Sequence, residues 1–298
     1  MTPDWLWIVF TLGAAFSQTF RNALQRGLTG PLGTVGATHV RFLYGLPFAL
    51  LFFGLILLWV GRLPPLPDLR FAGMVAVGAL TQIVATGLML AAMRKRAFLI
   101  VTAYTKCEPV LVILVAWVLV GETVSAAAVA AVALATAGVM TMSWPGREMR
   151  GQAWAGPVAF GLMSGGLFAV SAVCFRSAIN GLGSGMFLLD ASFTLVCSLS
   201  FQVLVLSLWL ALRDPQVLRA LLRNPRQSLP AGFAGAFASQ LWFLAFALQS
   251  ASLVRTAALS EILFAQLLSR RMSAQRLTAR EAVGVAMLAA GVAGVLLL

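Results

Sequence analysis

The chain has 298 residues, of which 60% are hydrophobic and only 10% charged, where a soluble domain carries about 25% charged residues. That balance excludes a water-soluble globular protein, and stretches offering the ~20 apolar residues of a membrane-crossing helix recur from end to end. The net charge of +12 points to basic loops held on the cytoplasmic side of a membrane and not to a nucleic-acid partner.

Gly, Pro and charged residues cut the sequence, in chain order, into ten predicted spans: 4–24, 34–60, 69–93, 97–120, 124–143, 151–178, 184–211, 229–250, 253–269 and 279–297. The first begins MTPDWLWIVF with no basic residue ahead of the apolar run, so it reads as a retained helix and not a secretory leader. The breaks are GRLPPLPD (61–68), MRKR (93–96), WPGRE (144–148) and RDPQVLRALLRNPRQS (213–228). Runs of ten alternating residues, the mark of a membrane barrel, do not occur. Cys107, Cys174 and Cys197 all fall in apolar spans, so no disulfide framework is expected. The expected fold class is an all-α polytopic membrane protein with ten transmembrane helices.

The basic residues set the orientation. Assigning loops alternately to two sides puts 14 of them on one side and only Arg62 and Arg70 on the other. The rich side should be cytoplasmic, which places both termini on the periplasmic side of a bacterial-type inner membrane.

The two halves of the chain echo each other. Phe-Arg-x-Ala occurs around Arg21 and again around Arg176, Glu108 matches Glu261, and Gly138 matches Gly291, at offsets of 155, 153 and 153 residues. Five spans per half make the second half enter the membrane inverted. The expectation is therefore two inverted five-helix repeats, residues 1–145 and 146–298, an architecture from which many secondary transporters are built.

Eight ionisable groups besides His39 fall inside spans: Arg21, Arg41, Lys106, Glu108, Arg176, Asp190, Arg255 and Glu261. Each costs at least ~2.5–3.5 kcal/mol at the bilayer centre, so these groups should face the bundle interior or water. Lys106, Glu108 and Glu261 lie nearest the middle. Lys106 and Glu108 point roughly 200° apart around a helix, so each calls for a partner on another helix. Pro109 has no N–H and frees the carbonyl of Thr105, which beside a carboxylate suits a substrate ammonium group or a proton. Buried pairing between helices is the competing use of both charges. Glu108 and Glu261 are the substrate-binding candidates. Arg21, Arg41, Lys106, Arg176, Asp190 and Arg255 read as gate or structural charges.

Neutral groups at membrane depth extend the list. Gln82, Gln240 and Ser239 can bind an amino acid's carboxylate or ammonium, or else hydrogen-bond between helices. Tyr44, Trp117, Trp242, Phe243 and Phe246 can form an aromatic wall, with Tyr44 and Trp242 the site candidates. His39 reads as a packing residue. Gly161 with Gly165, and Gly284 with Gly291, permit close helix approach.

No GxxxxGK[ST], HExxH or Cys/His cluster occurs, so no ATP-driven step, metal or cofactor is expected, and an enzyme lacks its nucleophile and base. A channel would show charge rings or a filter, and neither is present. A lipid or lipid-linked sugar flippase is the closer alternative.

EPVLVILVAWVLVGE (108–122) resembles the Pro-to-Gly-Glu stretch of fourth helices in the drug/metabolite transporter superfamily. Arg41 in VRFLYGLPFALL is similar to an arginine of that family's second helix. With its ten-span plan the chain resembles an EamA-type member, similar to bacterial amino acid and metabolite exporters. The second half departs from the pattern, with Ile262 in place of the proline and no Gly-Glu in SRRMSAQRL (269–277). The resemblance implies alternating-access export of amino acids, aromatic or of broad specificity, or of similar small metabolites. The partners implied are a small-molecule substrate and the lipid bilayer, with monomer and homodimer both open.

Overall fold

The computed structural model describes residues 3–94, 104–143, 155–223, 225–262 and 278–298. The start of the fourth predicted span, the end of the ninth, and the arginines of the 144–150 loop lie outside the described residues. Among the described residues every regular element is helical: α1 Leu6–Leu43, α2 Leu46–Val60, α3 Leu69–Arg94, α4 Glu108–Val120, α5 Ala126–Ser143, α6 Ala155–Leu182, α7 Phe187–Arg213, α8 Pro215–Arg223, α9 Pro225–Leu248, α10 Ala251–Ala257 and α11 Ala279–Leu296. Six stretches are long and apolar enough to cross a membrane, and Glu108–Val120 and Ala126–Met142 are shorter apolar helices. That set is compatible with the ten predicted spans.

α1 holds the first predicted span and the opening residues of the second, whose larger part is α2. Pro31 and Gly33, whose φ of 66° and ψ of −179° leave the helical region, turn the chain back on itself. The Gln25 side chain donates to the carbonyl of Ala37 at 3.0 Å, although twelve residues of straight helix would separate them by ~18 Å. A second break at Tyr44–Gly45 separates α1 from α2. α2 and α4 both stop at a left-handed glycine, Gly61 and Gly121, each with φ 69°, a conformation that only glycine adopts without strain.

The 213–228 segment corrects the sequence reading, which expected a plain break. It contains α8, started by Asp214, whose Oδ1 accepts from the Val217 N–H at 3.3 Å. Leu221 of α8 is fully buried in an apolar cluster with Leu32, Val40, Leu210 and Ala231. One buried face on a nine-residue helix is too short a periodic signal to stand out among loop arginines.

Packing sets the first half of the chain against the second. α1 lies on α9, α3 on α6, α2 on α7, α5 on α11, and α4 touches α10 and α6. α5 and α11 meet backbone to backbone. A Cβ on Gly138 would fall 2.5 Å from the Leu288 amide nitrogen, and one on Gly291 would fall 2.4 Å from that of Ala135. The outward surface is apolar, with Phe16, Leu58, Trp117 and Leu212 exposed, while many Thr, Ser and Gln side chains are buried. That distribution suits a lipid surround.

Candidate functional site

Two predicted spans are interrupted at matching places. The helical turn at Tyr104–Thr105 gives way to a turn at Lys106–Cys107, and α4 starts afresh at Glu108 with Pro109 at its first turn. In the second half α10 ends at Ala257, a turn follows at Ala258–Leu259, and helix resumes at Ser260. The second interruption forms without a proline. Each one sets its glutamate, Glu108 or Glu261, just beyond the turn and inside the bundle.

The glutamates hold cations from each other's segments. Arg255 Nε lies 2.9 Å from Glu108 Oε1, both side chains about nine-tenths buried. The contact is ionic, because that N–H is not aligned on the oxygen as a hydrogen bond requires. Lys106 pairs with Glu261 Oε1, and Thr19 donates to Glu261 Oε2 at 3.2 Å. The Arg255 guanidinium also stands over the Trp242 ring, 4.2 Å from its centroid, and 5.3 Å from that of Phe246. Ring faces stabilise a desolvated cation in that geometry.

Two narrow cavities meet at this cluster, sharing Gln18, Trp242 and Arg255. One, of about 20 Å³, lies beside Lys106, Glu108 and Glu261. The other is a crevice of about 10 Å³, room for a single water, beside Arg41, Gln82 and Ser239, against the rings of Phe175, Trp242 and Phe246. Arg41 donates to Thr86 Oγ1 at 3.4 Å and to Ser239 Oγ at 3.3 Å. The Trp242 indole donates to Gln18 Oε1 at 3.1 Å. Close approach of α9 makes this possible. A Cβ on Gly235 would meet Arg41 Cγ at 2.9 Å, and one on Gly232 would meet Tyr44 Cβ at 2.4 Å.

Of the residues singled out from sequence, the structure brings Glu108, Glu261, Gln82, Ser239, Trp242, Arg41, Lys106 and Arg255 to these cavities. Others lie elsewhere. Gln240 donates to Ser192 Oγ at 2.7 Å within the packed interior. Tyr44 donates to the Leu221 carbonyl of α8 at 2.7 Å, and Trp117 is 61% exposed. Arg21 is buried with its stem, like that of Arg41, against Gly235, and Asp190 accepts from the Ser184 N–H at 3.2 Å near the start of α7. Sequence reasoning passed over Gln202, which donates to Gln82 Oε1 at 2.8 Å and fixes that amide's orientation. Its signal was a lone amide in a 27-residue apolar helix.

A separate, more open cavity of about 320 Å³ lies beside Arg70, Glu122 and Arg176. Arg176 Nε is 3.5 Å from Glu122 Oε2, and its Nη1 donates to the carbonyls of Phe246, at 2.7 Å, and Gln249. Nearby, Arg62 donates to the Ser184 carbonyl at 2.9 Å. Among the described residues no three His, Cys, Asp or Glu side chains come together as metal ligands.

Residues 5–144 match the model of the EamA-like transporter family. No curated protein matches the chain. One solved structure, described only as "Crystal structure of protein", superposes with a TM-score of 0.64 at 15% identity, covering 99% of this chain and 94% of that one. At that identity the likeness shows the fold alone.

Proposed function

Through residues 5–144 the chain belongs to the EamA-like transporter family, and from that premise we propose that it is a secondary carrier exporting amino acids or similar small metabolites across an inner membrane. Family membership makes it a multi-pass membrane transporter of small molecules. The finer reading rests on one observation: paired charges drawn from both halves of the chain converge, at broken helices, on adjoining cavities with polar and aromatic walls. Broken helices at midplane are where such carriers bind their substrates. Glu108, Glu261, Gln82, Ser239 and Trp242 are the binding groups in this reading, and Arg41, Lys106 and Arg255 hold or gate the cavity.

The same reading takes residues 1–145 and 146–298 as inverted five-helix repeats that rock against each other. Support comes from the helix pairing. Exchanging the halves turns the α1–α9 contact into the α3–α6 contact and returns α2–α7 and α5–α11 to themselves. Proteoliposomes loaded in turn with amino acids, small carboxylic acids, nucleosides and polyamines test it. Efflux of at least one amino acid above protein-free vesicles is expected, and none of any class would sink the carrier reading.

A further inference from the structure

The buried charges around the two cavities do not cancel. Arg255 faces Glu108 and Lys106 faces Glu261, but Arg21 and Arg41, 1% and 3% exposed, face no carboxylate among the described residues. Their acceptors are neutral: Asn22 Oδ1 for Arg21, and the Thr86 and Ser239 hydroxyls for Arg41. Arg21 Nη1 and Arg41 Nε are buried with no hydrogen-bond partner. The other described carboxylates are committed elsewhere. Asp68 and Asp214 cap helices, Glu122 holds Arg176, Asp190 accepts from Ser184, and Glu281 closes a capping box. Asp4 stands ahead of α1, roughly 25 Å along the helix from Arg21.

The two arginine stems run side by side over Gly235, where a Cβ would meet Arg41 Cγ at 2.9 Å and Arg21 Cδ at 3.5 Å. Like charges desolvated together are costly, and an opposite charge relieves that cost. An ammonium group would have to displace Arg255 from Glu108 or Lys106 from Glu261, whereas a carboxylate reaching Arg41 displaces no ion partner among the described residues. We propose that the crevice beside Arg41, once the facing helices part, receives the carboxylate of a small organic anion whose aromatic or apolar body lies against Phe175, Trp242 and Phe246. The inference rests on the carrier reading and narrows its substrates from amino acids in general to net-negative small metabolites.

The test uses the full chain in phosphatidylcholine vesicles, with benzoate and phenylacetate as probes and phenylalanine, phenylethylamine and phenylacetamide for comparison. The two acids should stabilise the protein against heat, and their flux should follow an imposed valinomycin–potassium potential, since a monoanion moves charge. Arg41→Gln should weaken their binding at least tenfold and raise the melting temperature of the ligand-free protein, while Arg41→Lys should keep part of the binding. Wild-type voltage dependence and the lysine variant keep the test valid if Arg41→Gln does not fold. Tighter binding of the amine or amide, unchanged acid binding in Arg41→Gln, or voltage-independent acid flux overturns the inference. Stabilisation by phosphatidylglycerol and by neither acid also overturns it, assigning the arginines to a lipid headgroup. If phenylalanine or the amine moves while the acids do not, the inference falls and the carrier reading stands. If no small metabolite moves, both fall.

Discussion

Glu108 and Arg255 stand 147 positions apart in the sequence and 2.9 Å apart in the fold, with about a tenth of each side chain exposed. Two residues before Glu108, Lys106 reaches Glu261, which follows Arg255 by six. The pairs cross, so the turn at Lys106–Cys107 and the turn at Ala258–Leu259 are tied together twice. Movement of one segment against the other must break or exchange these contacts, which couples the charges to any rearrangement of the cavities.

Glu108→Gln removes the charge and keeps the shape. Arg255 then remains buried without its counter-charge, so the variant should lose stability by ~3–5 kcal/mol at the upper end. Glu108→Gln combined with Arg255→Gln should recover much of that loss, because no unpaired charge is left inside. Thermal unfolding of the two single variants and the double variant in one detergent measures the coupling. Purely additive losses would show that the pair is not energetically linked.

Close backbone contact predicts a sharp contrast among glycines. Gly291→Ala should destabilise by ~1–3 kcal/mol, since the new methyl meets the Ala135 amide nitrogen at 2.4 Å and the Ala131 carbonyl at 2.6 Å, and backbone cannot step aside. Gly87→Ala, in α3 with nothing within 4 Å of the added carbon, should be neutral or gain up to about 1 kcal/mol of helix propensity. Equal melting temperatures for the two variants would mean that α5 and α11 do not pack as described.

The uneven legibility of the fold has physical causes. Apolar length alone marks the spans, and Pro109 marks the break before Glu108, because a missing N–H acts locally. The matching glycines Gly138 and Gly291 also show in the sequence, since two helices can approach this closely only where side chains are absent. The break at Ala258–Leu259 is different. No proline or glycine announces it, and the segment turns where Glu261 meets Lys106 and Thr19. Gln240 and Tyr44 looked equivalent to Gln82 and Trp242 by type and depth. Their directions depend on helix rotation and on the Tyr44–Gly45 break, which a period of 3.6 residues does not reveal. The pairing of Gln82 with Gln202 is a contact between distant spans and is likewise invisible to local pattern.

That amide pair makes its own prediction. Gln202→Leu leaves Gln82 Oε1 without its donor in a buried setting and should cost ~1–3 kcal/mol. Substrate binding should weaken as well, because Gln82 loses the contact that orients its amide at the cavity wall. Thermal unfolding and ligand titration on one preparation separate the effects. A stability loss with unchanged affinity would remove Gln82 from the binding groups.

The topology reading is exposed to a direct experiment. Arginine placement predicts both termini on the periplasmic side. A reporter active only in the periplasm, fused after Leu298, should be active, and a cytoplasm-dependent reporter at the same place should be silent. The reverse pattern would mean that one span has been miscounted and that the carrier sits the other way up.

The outer pair should behave unlike the central ones. Glu122 and Arg176 are 29% and 19% exposed and 3.5 Å apart, so water screens their attraction and Glu122→Gln should cost no more than ~1 kcal/mol. Arg176→Gln should cost more, ~1–3 kcal/mol, because Arg176 also binds the carbonyls of Phe246 and Gln249 at the end of α9. The α9 terminus would then be free to part from α6 beside the open cavity lined by Arg70 and Asn180. If the pair holds that side closed, Arg176→Gln should raise the labelling rate of a cysteine placed at Asn180 on the cavity wall. Glu122→Gln should raise it less. Equal costs for the two variants, with unchanged labelling, would leave the pair as an ordinary surface contact.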